Sequence, residues 1–178
     1  MKRALLIAPV ALGSSVALAL PSTPSLGLAE GRCPTPASGP SFLVSVRGIK
    51  DRSGRLRLEL YPDNDRDFLA DDNQLVAAHK AFARVDEPVP ASGPVTLCIR
   101  APRSGWYTLS LLHDRNGDRK FTLSTDGIGF PNNPKLGWSK PKAVLARALA
   151  RNGPVPLQIR LNYRRGLFSF GPITRGES

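Results

Sequence analysis

The sequence predicts an all-β fold, an antiparallel Greek-key β-sandwich of about seven strands. Three observations carry that prediction. Apolar residues recur with period two in short runs, the pattern of strands that bury one face. Glycine, proline and asparagine interrupt the chain roughly every ten residues, the spacing of an all-β domain. No stretch keeps a helical period for long. Strands that each bury one face are most simply satisfied by two packed sheets.

Phe42, Val44 and Val46 alternate with Leu43, Ser45 and Arg47 as a first strand. Gly48 to Gly54 is a turn. Leu56, Leu58 and Leu60 alternate with Arg55, Arg57 and Glu59 as a second strand, and the two are expected to pair as a hairpin. Pro62 and the aspartates at 63, 65, 67, 71 and 72 then break the pattern, which predicts a loop with one helical turn near Phe68 and Leu69. A third strand is expected over 79–85. Ser92-Gly93-Pro94 opens a fourth through Val95, Leu97 and Ile99, with Cys98 on its opposite face.

Ser104-Gly105 opens the fifth strand. Tyr107, Leu109, Leu111 and His113 share one face; Trp106, Thr108, Ser110, Leu112 and Asp114 share the other. A Gly-x-Tyr at the start of a late strand marks the tyrosine corner of Greek-key, immunoglobulin-like sandwiches, which gives Tyr107 a structural role. Residues 143–150 read as a helical turn running into a short strand. Leu157, Ile159, Leu161 and Tyr163 form the last clear strand, and the basic tail 164–178 lacks periodicity.

Residues 1–29 carry the grammar of a secretory signal peptide: Met1-Lys2-Arg3, an apolar run to Leu20, then small residues. Gly27-Leu28-Ala29 offers a cleavage site before Glu30, and Val16-Ala17-Leu18-Ala19 an earlier one. The apolar run is shorter than the roughly 20 residues of a membrane span, so no transmembrane segment is expected in the mature chain. Residues 30–40 form a proline-rich tether and 41–163 the sandwich. Export predicts the periplasm or the extracellular medium. An oxidising compartment predicts one disulfide between Cys33 and Cys98.

The net charge is +11. Without Lys2 and Arg3, 23 basic and 14 acidic residues remain, a charge of +9. Residues 127–176 hold nine Lys and Arg and no acid, so the C-terminal third could meet an anionic glycan or lipid headgroup. Nucleic acid is not expected: Phe168 and Phe170 follow Arg164-Arg165, which is thin aromatic interleaving for an exported protein. A monomer is expected.

Residues 113–133, HDRNGDRKFTLSTDGIGFPNN, hold the densest chemistry. Asp114, Asn116 and Asp118 stand at every second residue, and calcium takes six to eight oxygen ligands. Gly117 permits the turn, the carbonyl of Lys120 and the hydroxyl of Thr122 fall at the next ligand positions, and Asp126 closes the shell. The loop is not an EF-hand: Arg119 and Thr125 occupy the positions of its glycine and its last glutamate. Asn, Asp and Gly are also what any tight turn uses, so a hydrogen-bonded loop without metal is the competing reading. His113 reads as a structural histidine. It and Asp114 point to opposite faces of a strand, no Gly-x-Ser-x-Gly elbow or His-Glu-x-x-His is present, and no catalytic activity is expected. A hydrolase using His113 is the lesser alternative.

Gly-x-Tyr, an alternating strand, HDRNGDRKF, DGIGFPNN and a closing strand ending in Tyr163 together resemble the uncharacterised exported bacterial family called domain of unknown function 2141. His113, Asp114, Asn116 and Asp118 match its first block; Asp126, Gly127, Gly129, Phe130, Asn132 and Asn133 match its second. The likeness spans roughly residues 42–163. The chain departs from the family's pattern with Thr122 in place of an aspartate, Asp126 in place of a glutamate, and a shorter segment between the blocks. The resemblance implies an exported, transthyretin-like β-sandwich akin to adhesin repeats, and no established activity. The reading that results is a binding or accessory module of the cell envelope with an unknown envelope partner. Its possible calcium loop uses Asp114, Asn116, Asp118, Lys120 and Asp126, braced by Asn132 and Asn133.

Overall fold

The computed structural model describes residues 24–137, 139–166 and 169–173. Most of the expected leader lies outside them. A short helix, α1 (Leu28–Gly31), precedes β1 (Ser41–Arg47) and β2 (Arg55–Pro62). Helix α2 (Asp72–Ala77), β3 (Ala83–Pro88), β4 (Val95–Arg100) and β5 (Gly105–Asp114) follow. After the acidic loop come β6 (Gly127–Gly129), a 3₁₀ turn (Ala143–Leu145) and β7 (Arg147–Ala150). Strands β8 (Pro154–Arg160), β9 (Asn162–Arg165) and β10 (Ser169–Gly171) close the chain.

The fold is an all-β sandwich. The smaller sheet has the order β4-β1-β8; the larger runs β10-β9-β6-β5-β2-β3, with β7 also paired to β5. Alternating residues of the two sheets meet in the main core, where Phe42, Leu58, Ile99, Leu109, Leu111 and Ile159 are fully buried. The larger sheet is covered on its other face too. Tyr61, Phe68, Leu75, Phe82 and Phe130 form a second cluster there, under the excursions 62–78 and 128–146. Double coverage leaves every residue of β5 from Tyr107 to Asp114 buried.

Several expectations need correction. Strands β1 and β2 are not a hairpin. β1 pairs with β4 and, in parallel, with β8, while β2 pairs with β3 and β5. The 48–54 turn carries the chain from one sheet to the other, and the β1–β8 pairing departs from a purely antiparallel sandwich. The third strand starts at Ala83 rather than 79. The turn expected near Phe68 is present, with the Phe68 N–H on the Asn64 carbonyl at 3.0 Å, and a further helix, α2, starts at Asp72. Asp71 fixes that start by accepting the Gln74 N–H at 3.2 Å. The tail is not wholly irregular, because β9 runs to Arg165 and β10 pairs back on it.

The boundary drawn at residue 29 falls inside α1. The Gly27 carbonyl accepts the Arg84 N–H at 2.8 Å along the outer edge of β3. Leu26 packs on the second apolar cluster. Cys33 is disulfide-bonded to Cys98 on β4, with the Cα atoms 6.0 Å apart. Residues 26–33 are thereby built into the sandwich. Among the described residues no helix is long and apolar enough to cross a membrane.

Candidate functional site

Asp114 ends β5 with a fully buried carboxylate that organises the loop after it. One oxygen accepts the Gly117 N–H at 2.8 Å and the other the Arg119 N–H at 2.9 Å. This curls the backbone so tightly that Gly117 and Arg119 adopt φ of 72° and 65°. Glycine does so freely, whereas the left-handed conformation costs arginine about 1–2 kcal/mol. Asp118 accepts the Lys120 N–H at 2.8 Å and the Thr122 hydroxyl at 3.0 Å, and the Asn116 amide donates to it at 2.8 Å. The Lys120 N–H is the main reason its carboxyl lies below the usual range. Asp126, 1 % exposed, accepts the Arg115 N–H at 3.0 Å and the Thr122 N–H at 2.8 Å. That stitches the two ends of the loop together.

These bonds draw the carboxylates inward. Asp114, Asp118 and Asp126 each place an oxygen so that all three lie within 4.8 Å of one another. At that spacing two like charges repel by about 3 kcal/mol at an effective dielectric near 20. Donated N–H groups offset part of this. Of the predicted ligand set, then, three carboxylates converge. Asn116 and Lys120 enter as hydrogen-bonding partners of Asp118, through a side-chain amide and a backbone N–H.

Three arginines and two aspartates hold the loop in place. Arg115 forks onto Asp51, through Nε at 2.8 Å and through Nη2, and donates to the Thr125 carbonyl at 2.8 Å. Burial pushes the Asp51 carboxyl up, but the Arg115 bond and the Ser53 N–H outweigh it, so its pKa lies below the usual range. Arg57, on β2, reaches the Arg119 carbonyl at 2.8 Å and Asp86 at 3.1 Å, and Arg55 completes that pair from the same strand. None of these roles was read from the sequence. The one available signal was Arg57 inside a strand, flanked by leucines.

His113 is fully buried. Its Nε2 lies 2.8 Å from the Ser53 carbonyl, which can only accept, so that nitrogen carries the proton. Nδ1 then accepts the Tyr163 hydroxyl at 2.7 Å, and the Tyr163 oxygen accepts the Lys50 N–H at 3.0 Å. Burial is the largest influence on the ring and lowers its pKa; the Ser53 bond and Asp51 work against it. Burial likewise pushes the Tyr163 hydroxyl well above its ordinary range. The result is a neutral chain Lys50–Tyr163–His113–Ser53 that ties the 48–54 crossing to β5 and β9.

The second block is shaped by close approach. A Cβ on Gly127 would come within 2.3 Å of the Tyr163 ring, and one on Gly129 within 2.5 Å of the Arg160 carbonyl. Asn132 and Asn133 adopt φ of 62° and 45°. Their hydrogen bonds go to Leu145, Arg147 and Arg160, bracing the start of β7 and the end of β8 rather than the acidic loop. Tyr107 donates to the Arg103 carbonyl at 3.1 Å, four residues upstream, as a tyrosine corner does.

The model of an uncharacterised protein family conserved in bacteria, DUF2141, matches residues 44–155. The chain belongs to this family. Both DUF2141 blocks, and with them the acidic loop and His113, lie inside the match, whereas Cys33 and Tyr163 lie outside it. No curated protein and no solved structure matches the chain.

The basic C-terminal third is less free than its composition suggests. Arg147 pairs with Asp63 at 3.2 Å and Lys142 with Asp65 at 3.3 Å. Lys140 donates to the Asp65 and Phe68 carbonyls. Asp63 and Asp65 of the acidic stretch thus answer Arg147 and Lys142 of the basic one.

Proposed function

We propose that this DUF2141 chain is an exported, non-enzymatic accessory module of the cell envelope whose 114–126 loop closes around a calcium ion. The observation that carries the reading is the convergence of Asp114, Asp118 and Asp126 within 4.8 Å, two of the three being buried. An all-oxygen, carboxylate-rich set suits a hard cation rather than zinc or copper. The ion would relieve the mutual repulsion of the carboxylates and lock the loop to β5. Asn116 and Lys120 remain the candidates for further oxygens. The Cys33–Cys98 disulfide supports an oxidising compartment. His113 supports a structural rather than a catalytic role, since both ring nitrogens are committed and the ring is closed to solvent.

The test is thermal unfolding of the oxidised protein in EDTA and then in millimolar calcium. A ligand at 100 times its Kd adds about 2.7 kcal/mol, which raises the midpoint by about 5–10 °C at this chain length. The rise should vanish in the Asp114→Asn, Asp118→Asn double variant. No rise with calcium would refute the cation and leave the loop as a hydrogen-bonded brace.

A further inference from the structure

At the far end of β5 from the acidic loop, an open cleft of about 1390 Å³ runs past Trp106. Eight residues separate Trp106 from Asp114, about 26 Å along a strand, so the cleft is independent of the cation loop. Trp106 is 48 % exposed, unusual for so large an apolar side chain on a sandwich wall. It is also held in place. The Arg147 guanidinium lies over its ring, 4.5 Å from the centroid, and is itself fixed by Asp63. The turn before it is pinned by the Tyr107 hydroxyl on the Arg103 carbonyl and by the Ser104 hydroxyl on Asn152 at 2.5 Å. Three exposed polar side chains line the same cleft with no side-chain partner among the described residues: Glu30, His79 and Arg103.

We infer that this cleft is a binding site for a neutral, pyranose-containing glycan, with Trp106 as its stacking platform. A rigid indole offers an apolar face to the C–H face of a sugar ring, and its N–H can still donate. A carboxylate, an imidazole and a guanidinium are the groups that bind neighbouring hydroxyls, as acceptor, switchable partner and planar donor. The pinned turn means that little ordering entropy is lost on binding. Charge selects against polyanions: Glu30, Asp63 and Asp67 face Lys80, Arg100 and Arg103, so the wall is balanced. Apolarity selects against acyl chains, because Trp106 is the one exposed large hydrophobic residue among the described residues that line the cleft. An open cleft also suits a chain of sugars better than a small enclosed metabolite.

The experiment is calorimetric titration of the full oxidised protein, in EDTA, with soluble chito-, cello- and malto-oligosaccharides. Polygalacturonate and anionic vesicles serve as comparators. Replacing Trp138 by Phe leaves Trp106 as the sole tryptophan, so its fluorescence reports the site directly. Saturable binding of at least one neutral oligosaccharide is expected, with a matching change in Trp106 emission. Trp106→Ala should weaken it about tenfold or more, and Arg103→Ala several-fold, with unfolding midpoints unchanged. Absence of saturable binding to any neutral glycan overturns the inference. So does binding that survives Trp106→Ala, or a preference for the acidic polymer or the vesicles.

Discussion

Replacing Tyr163 by Phe isolates the polar chain behind the acidic loop. The substitution keeps the ring, and therefore the contact with Gly127 and the edge-to-face packing on His113, whose centroid lies 6.0 Å away. It removes one oxygen. His113 Nδ1, fully buried, loses its only donor among the described residues, and the Lys50 N–H loses its acceptor. A buried polar group left without a partner costs about 1–3 kcal/mol, and a part-buried one less. The expected loss is about 2–4 kcal/mol, or about 5–15 °C in Tm at this chain length. Urea unfolding at pH 7.5, followed by circular dichroism, would read it. A loss below about 0.5 kcal/mol would refute the reasoning, since it would mean that water or another group already serves those atoms. The same chain sets a pH dependence. The folded state holds His113 neutral with its pKa below 6.5, so below pH 6.5 the unfolded chain takes up a proton that the folded chain refuses. Stability is therefore complete above about pH 7 and falls as pH drops from 6.5 towards the folded pKa, with a slope of at most about 1.4 kcal/mol per pH unit. His113→Gln should flatten that slope. Asp51, also held low, acts only below about pH 4, where its protonation releases Arg115.

Gly127→Ala drives a methyl group into the Tyr163 ring, where 2.3 Å is available. Overpacking of this kind costs about 1–3 kcal/mol, and hydrogen exchange should rise at Lys50 as the hydroxyl is displaced; an unchanged Tm would contradict the packing described. Reducing the Cys33–Cys98 bridge, which spans 65 residues, should cost about 4 kcal/mol on the loop-entropy account. Unfolding with and without reductant, with Cys33→Ser, Cys98→Ser as control, measures it, and a loss under about 1 kcal/mol would show that the N-terminal segment docks without the bond.

What could be read in the sequence was what each strand does alone. Leu56, Leu58 and Leu60, or Val95, Leu97 and Ile99, announce a buried face by alternation, and all six are buried. Which strand lies beside which was not legible, because alternation carries no register between distant segments. β1 finds its neighbours about 50 and 110 residues away, so the nearby β2 was the natural but mistaken partner. β5 was harder still, since both of its faces are buried and polar Ser110, Asp114 and Thr108 lie within it. In the acidic loop the sequence located the carboxylates but not what satisfies them. Their partners are mostly backbone N–H groups, which every residue carries, and the partner of His113 lies 50 residues downstream.

The placement of the N-terminal segment, the disulfide and two prolines has a consequence for assembly. The edge strand β3 is covered near its start by the N-terminal segment, through the bond from the Arg84 N–H to the Gly27 carbonyl. The edge strand β4 carries the Cys98 tether, and the edge strand β8 contains Pro154 and Pro156, which have no N–H to offer. An exposed strand edge is a template on which a second chain can add a strand, the first step of fibre growth or of donor-strand polymerisation. These three edges are thereby obstructed against that step. The architecture therefore favours contacts made by side chains and loops, and a truncation reaching past Gly27 would free the β3 edge and invite aggregation.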